Sequence, residues 1–306
     1  MSLDTDALID RRRLKRRLTA WRVIAVVAIL GIALIAVGKR GGTVAPWNKS
    51  HIARISVEGV ISDDRARDEA LKKAADDPDV KALIVYIDSP GGTVVGGEDL
   101  YERLRDISAK KPVVATMGTL AASGGYMTAI GADYILARQG TITGSIGVLM
   151  QTTEFTGLME KLGVEAEAIK SAPLKAVPSP FEKLTPAGRE ATRVVVMDMY
   201  DMFVGMVAER RHLSHEDALK LADGRVFTGR QAVENKLVDA IGGEAEARDW
   251  LAENRSIPRD TPVRELKVEK PDDGISGVVG KAMGKALFSE RVTLDGLVSL
   301  WHPDLR

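Results

Sequence analysis

The sequence predicts an α/β protein preceded by one N-terminal membrane helix, and three observations predict it. Apolar, strand-like runs alternate with helix-like segments from His51 onward; two of those runs open into glycine-rich turns; and an apolar stretch, Leu18–Gly38, lies between basic clusters. Short apolar runs bounded by turn formers read as strands, whereas longer segments with a 3.6-residue period read as helices.

The N-terminal segment is the simplest to justify. The run Arg11–Arg17 precedes Leu18–Gly38, which is broken only by Arg22 and closed by Lys39–Arg40. At about 1.5 Å per residue, 18–38 reaches about 31 Å, enough for a hydrocarbon core of about 30 Å if Arg22 snorkels to the headgroups. The basic excess before it keeps the N-terminus in the cytoplasm and sends the larger part across. A cleavable signal peptide is the alternative, because Ala36-Val37-Gly38 imitates a small-x-small site; the long apolar run and the following Lys39–Arg40 favour an uncleaved anchor. The expected segments are therefore a basic N-terminus (1–17), a transmembrane helix (18–38), a linker (39–50), a folded domain (51–250) and a C-terminal extension (251–306).

Within the folded part, His51–Ile61, Ala82–Ile87, Pro112–Met117, Tyr134–Ala137 and Ser145–Met150 read as strands, and Asp64–Ala75, Gly97–Ala109 and Glu154–Leu162 as helices. Thr185-Pro186 opens a long helix that closes near Arg210-Arg211-His212. Its stretch Val194–Val207 is apolar on almost every side, which calls for burial in the core and against another subunit. Ser214-x-Glu216 starts a further helix, Gly243–Glu253 reads as another, and Leu294–Trp301 is apolar enough to pack on something.

Two stretches carry chemistry. Gly118–Val148 reads as strand end, small-residue turn and a helix opening at Ser123. Backbone N–H groups of a first helical turn lack intrahelical partners and can face an oxyanion, while Ala121, Ala122, Gly124 and Gly125 let a substrate backbone approach. Serine is also an ordinary N-cap, so this turn alone leaves both readings open. The second stretch, Tyr86–Gly97 (YIDSPGGTVVGG), opens into its own glycine turn and brings the Gly91 and Gly92 amides opposite Ser123 if the two strands are parallel neighbours. It lacks the glycine and lysine pattern of a phosphate-binding loop. Thr93, Val94 and Val95 offer an extended edge for pairing with a peptide backbone, or plain strand structure. Tyr126, one turn past Ser123, suits a pocket wall or the core equally.

SPGG after a strand, AASGGY and TGSIGV, in that order, resemble the signal peptide peptidase A family of membrane-bound Ser/Lys peptidases over residues 51–250. The resemblance implies a ClpP/crotonase-like stack of ββα units, with Ser123 as nucleophile and Gly91, Gly92 and Gly124 as oxyanion donors. Ser145 matches the serine that orients the lysine amine. Lys175, in IKSAPLKAVPSPFEK, matches the family's general base, with Lys170 the most plausible mistaken identity. A lysine base must be neutral, and its ordinary pKa is about 10.4, so this role calls for an apolar pocket; Pro173, Leu174, Ala176 and Val177 suit one. Ala172 and Ala176 depart from the residues frequent at those places, which puts the local loop conformation in doubt.

The resemblance further implies hydrolysis of residual signal peptides and other apolar peptides, no cofactor, and a ring-shaped homo-oligomer. It places the chain in the bacterial inner membrane, single-pass, with the catalytic domain on the extracytoplasmic side. Two other readings share the fold: a crotonase-like acyl-CoA enzyme, expected to carry acidic catalytic residues, and a non-enzymatic membrane scaffold. Lys plus Arg and Asp plus Glu both number 43, so no charge excess points to nucleic acid. The absence of cysteine excludes disulfides and thiol catalysis. Four histidines without an H-E-x-x-H pattern, none beside a glycine-rich turn, argue against a zinc site and a Ser-His-Asp triad.

Overall fold

The computed structural model describes residues 50–268 and 297–300, together with positions 21, 22, 25, 26, 28 and 29. The chain divides into two compact units, Met1–Lys49 and Ser50–Arg306. In the first, the described positions are helical and exposed. The predicted membrane helix 18–38 lies largely outside the described residues, and among those that are described no helix is long and apolar enough to cross a membrane.

The second unit is built on a mixed sheet. Its first strands are β1 (His51–Ile61), β2 (Val80–Thr93), β3 (Val113–Ala122) and β4 (Tyr134–Ala137), connected through helices α1 (Arg65–Asp76), α2 (Val94–Ser108) and the short α3 (Gly124–Ala129). All four strands run parallel, in the order β1-β2-β3-β4. Such a sheet is covered on both faces, so its strands are apolar on both sides. Ala53, Ile55, Val57, Leu83, Val85, Ile87, Val113, Ala115 and Met117 join the larger core with residues of α1, α2 and α3. The alternate positions Ile52, Ala82, Ile84 and Val114 join a second cluster with Ala247, Leu251 and Ile257. The expected α/β layering is therefore observed.

Downstream come β5 (Ile142–Gly144), β6 (Leu149–Met150), α4 (Thr156–Leu162), α5 (Pro186–Arg211), α6 (His215–Leu221), β7 (Val226–Thr228), α7 (Gly229–Glu234), β8 (Ala240–Ile241), α8 (Glu244–Arg255), β9 (Val263–Glu265) and β10 (Leu297–Leu300). The long helix α5 is capped as its sequence announces: the Thr185 side chain accepts from the Gly188 amide, Pro186 opens the helix and His212 ends it at φ 54°. Phe203, Val204 and Val207 are buried, whereas Val194, Val195 and Met197 are exposed on this chain.

Several expectations need correction. Of the strand expected over Ser145–Met150 only Leu149–Met150 (β6) is extended in the sheet; β5 ends before it at Gly144, where Gly144 (φ 82°) and Ser145 (φ 49°) turn the chain out of extended conformation. Val94 and Val95 are not an extended edge: Thr93 caps α2 by accepting the Gly96 amide at 3.0 Å, which commits both valines to its first turn. The apolar pocket around Lys175 is absent from the single chain, where 171–176 is exposed.

Candidate active site

The site forms where β2 and β3 end side by side. Their register runs Leu83↔Val113 to Ile87↔Met117, then shifts to Ser89↔Ala121, so the SPGG and SGG turns emerge as parallel neighbours. A Cβ on Gly125 would stand 2.9 Å from the Ser89 carbonyl oxygen, so only glycine allows this approach. On the other side Gly92 pairs with Ile61 of β1, and a Cβ there would lie 1.7 Å from the Ile61 carbonyl oxygen.

Ser123 stands between β3 and α3 with φ 56° and ψ −118°, and is 1% exposed. A non-glycine residue in such a region costs on the order of 1–3 kcal/mol and persists only when its surroundings fix it. Here they do. Its N–H donates to the Gly144 carbonyl at 2.8 Å, and its own carbonyl accepts the Met127 amide, also at 2.8 Å. The strand leading to it is pinned as well: the hydroxyls of Thr141 and Thr143 donate to the carbonyls of Gly118 and Ala121, each at 2.7 Å. Strained strand-to-helix turns of this kind are used to present nucleophilic serines.

The same bonds bring Ser145 to the site. Ala122 pairs with Gly144, and Ser145, 8% exposed, donates its N–H to the Arg225 carbonyl at 2.8 Å. Gly124 is the first residue of α3, where the backbone N–H has no intrahelical acceptor. Gly91 (φ 107°) differs: its N–H donates to the Ser89 hydroxyl at 3.0 Å. Ser89 is fully buried and shapes this turn, a role the sequence reading missed although a serine two residues before a glycine is a known turn-forming signal. The Asp88 carboxylate likewise accepts the Leu120 amide at 3.0 Å, tying the two turns together.

Tyr126 is fully buried, its hydroxyl donating to the Leu237 carbonyl at 2.8 Å, and burial pushes its phenol well up. Lys175 lies in an exposed turn, its own N–H donating to the Ala172 carbonyl, and the next residue, Ala176, has φ 59°. Lys170 is the more enclosed lysine, and it is paired with Glu182. Among the described residues no cluster of His, Cys, Asp or Glu could hold a metal ion.

A strained, buried serine at a parallel strand-to-helix junction, faced by a second glycine turn, is a geometry suited to acyl transfer. The chain belongs to peptidase family S49, whose model matches residues 105–257, and it is a serine peptidase. It is 43% identical over 67% of its length to a protein of Synechocystis sp. that bears a protease name, covering 74% of that protein. It is 36% identical to an Enterococcus faecium protein that bears the name signal peptide peptidase SppA, over 71% of this chain and 67% of that one. Among solved structures it is similar to ClpP1 from Listeria monocytogenes, with a TM-score of 0.42 and 16% identity over 63% of this chain and 93% of that one.

Proposed function

We propose that the chain is a membrane-anchored serine endopeptidase that hydrolyses residual signal peptides and other apolar peptides through a Ser/Lys dyad. The observation that carries the reading is the conformation of Ser123, held at φ 56° by bonds from both sides. Ser123 Oγ attacks the scissile carbonyl carbon as its proton passes to the Lys175 amine. The amides of Gly92 and Gly124 hold the oxyanion, with the Gly91 turn as their frame. Collapse breaks the C–N bond, and the departing amine takes the proton from Lys175. Water, deprotonated by the same amine, then adds to the acyl carbon, and collapse breaks the C–O bond to Ser123, whose Oγ takes the proton back from Lys175 as the acid leaves. Ser145 orients the amine.

Two features support completion of the dyad between protomers of a ring. Lys175 stands on an exposed arm, and that arm carries exposed apolar residues (Leu158, Leu162, Val164, Ile169, Leu174, Phe181), as does the first half of α5. Burial of the arm on a neighbouring subunit supplies the apolar surroundings that favour a neutral amine. The basic run before Leu18–Gly38 supports an anchor of 18–38 in the bacterial inner membrane, with the peptidase domain 51–250 on the extracytoplasmic side.

The test is labelling by a reactive fluorophosphonate followed by peptide mapping, together with hydrolysis of an apolar chromogenic peptide. Label on Ser123, and loss of at least about 10³-fold in kcat in both Ser123→Ala and Lys175→Ala, are expected. Full activity in Lys175→Ala with loss in Lys170→Ala would reassign the base.

A further inference from the structure

The arm that carries Lys175 is held unevenly along its length. Its later limb is fixed at several places. The Pro180 carbonyl accepts the Phe155 N–H at 2.8 Å, and Val177 lies so close over the first turn of α5 that a Cβ on Gly188 would stand 2.6 Å from its methyl group. Thr185, which caps α5, follows Glu182 by three residues, so the helix also fixes where Glu182 stands. The earlier limb is different. From 160 to 176 every residue is exposed except Lys170, whose side chain is 16% exposed. The Lys175 N–H bonds only within the limb, to the Ala172 carbonyl at 3.1 Å. Among the described residues, one hydrogen bond or ion pair ties 165–176 to another segment: the Lys170 ammonium donates to the Glu182 carboxylate, 12 positions further on. Lys175 stands near the middle of the loop this contact closes.

We infer that Lys170 and Glu182 form a clasp that positions Lys175 for reaction at Ser123, with Lys170 acting through the loop and never on the substrate. The inference rests on the proposed role of Lys175 as base. A half-exposed ion pair contributes little to global stability, so the effect of this one is local: it fastens the start of a limb that nothing else on the chain holds. A general base must stand within hydrogen-bond reach of the hydroxyl it deprotonates, and a displacement of about 1 Å costs up to about 10²-fold in rate. Glu182 is tied to α5 through Val177 and Thr185, so the clasp carries the position of that helix to the amine.

The test compares the full chain with Lys170→Met, Glu182→Gln, Lys170→Arg and the exchanged pair, Lys170→Glu with Glu182→Lys. Hydrolysis of an apolar chromogenic peptide gives kcat, KM and the pH profile. Trypsin nicking after Lys175, mapped by mass spectrometry, reads the order of the loop independently of activity. Lys170→Met and Glu182→Gln are expected to lower kcat roughly 10- to 100-fold with KM and the pH midpoint unchanged, and to speed nicking roughly tenfold. Lys170→Arg should keep most of the activity, and the exchanged pair should regain part of it. Unchanged kcat and unchanged nicking in Lys170→Met and Glu182→Gln overturn the clasp and leave Lys175 as base. A loss that neither Lys170→Arg nor the exchanged pair relieves, with the pH midpoint moved, also overturns it, because Lys170 would then be handling the proton itself. Fast nicking in Lys170→Met together with full activity in Lys175→Ala supports the clasp as a fastening of the loop and removes the base assignment instead.

Discussion

The φ of 56° at Ser123 separates stability from activity at one position. Glycine relieves a positive φ that alanine does not, so Ser123→Gly is expected to melt at least as high as Ser123→Ala, with both inactive; a clearly lower Tm for the glycine variant would contradict strain at this turn. Gly92→Ala has no such latitude, since its Cβ would meet the Ile61 carbonyl at 1.7 Å, and loss of folded protein on expression is the expected result. Tyr126→Phe leaves the Leu237 carbonyl without its donor and should cost about 1–3 kcal/mol in denaturant unfolding, with KM unchanged. At this scale Ser123 was legible because small residues and a helix start surround it in sequence. Ser89 was not, because its role is a bond to the Gly91 amide that only the folded turn reveals.

Among the elements, those with local signals were read closely and those with distant partners were not. Strand β1 spans His51–Ile61 as expected, and α5 runs between its Thr185 and His212 caps. Strand β2 was expected to stop at Ile87, yet it continues to Thr93 with a register shift after Ile87 and Gly91 at φ 107°; glycines that usually end a strand here let it run past Ile61 at close range. Strand β10 depends on β2 and β6, some 150 to 200 residues away, and had no local pattern beyond its apolarity. Packing between α1 and α2 gives a pH prediction. Burial pushes the Asp68 carboxyl up, but hydrogen bonds from Lys72 and Arg103 outweigh it and hold it below the ordinary range. A carboxylate depressed in the fold contributes stability above its unfolded pKa, near 3.9, and loses it as pH falls through the folded value. The Tm gap between the parent and Asp68→Asn should therefore be full at pH 7 and close as pH drops below about 4; a gap that widens in acid would refute the pairing.

For the whole molecule, the decisive contrast is between a buried Ser123 and an exposed Lys175 arm. If the arm completes a neighbour's site, Ser123→Ala and Lys175→Ala chains, each inactive, should regain part of the activity when assembled together, because some junctions join an intact serine to an intact lysine. Mixed oligomers of verified composition that stay inactive would place the dyad within one chain. Replacing exposed Val194 and Val195 by aspartate should shift the protein to smaller species in light scattering and lower activity in parallel. On that reading the exposed arm would also make time and abundance part of the control. If the dyad is completed between protomers, newly made, scattered chains would each hold a nucleophile without its base, and specific activity should climb steeply with enzyme concentration, then level off once every arm has met a neighbour. A peptidase built that way would be silent while it is rare and competent only where its copies gather.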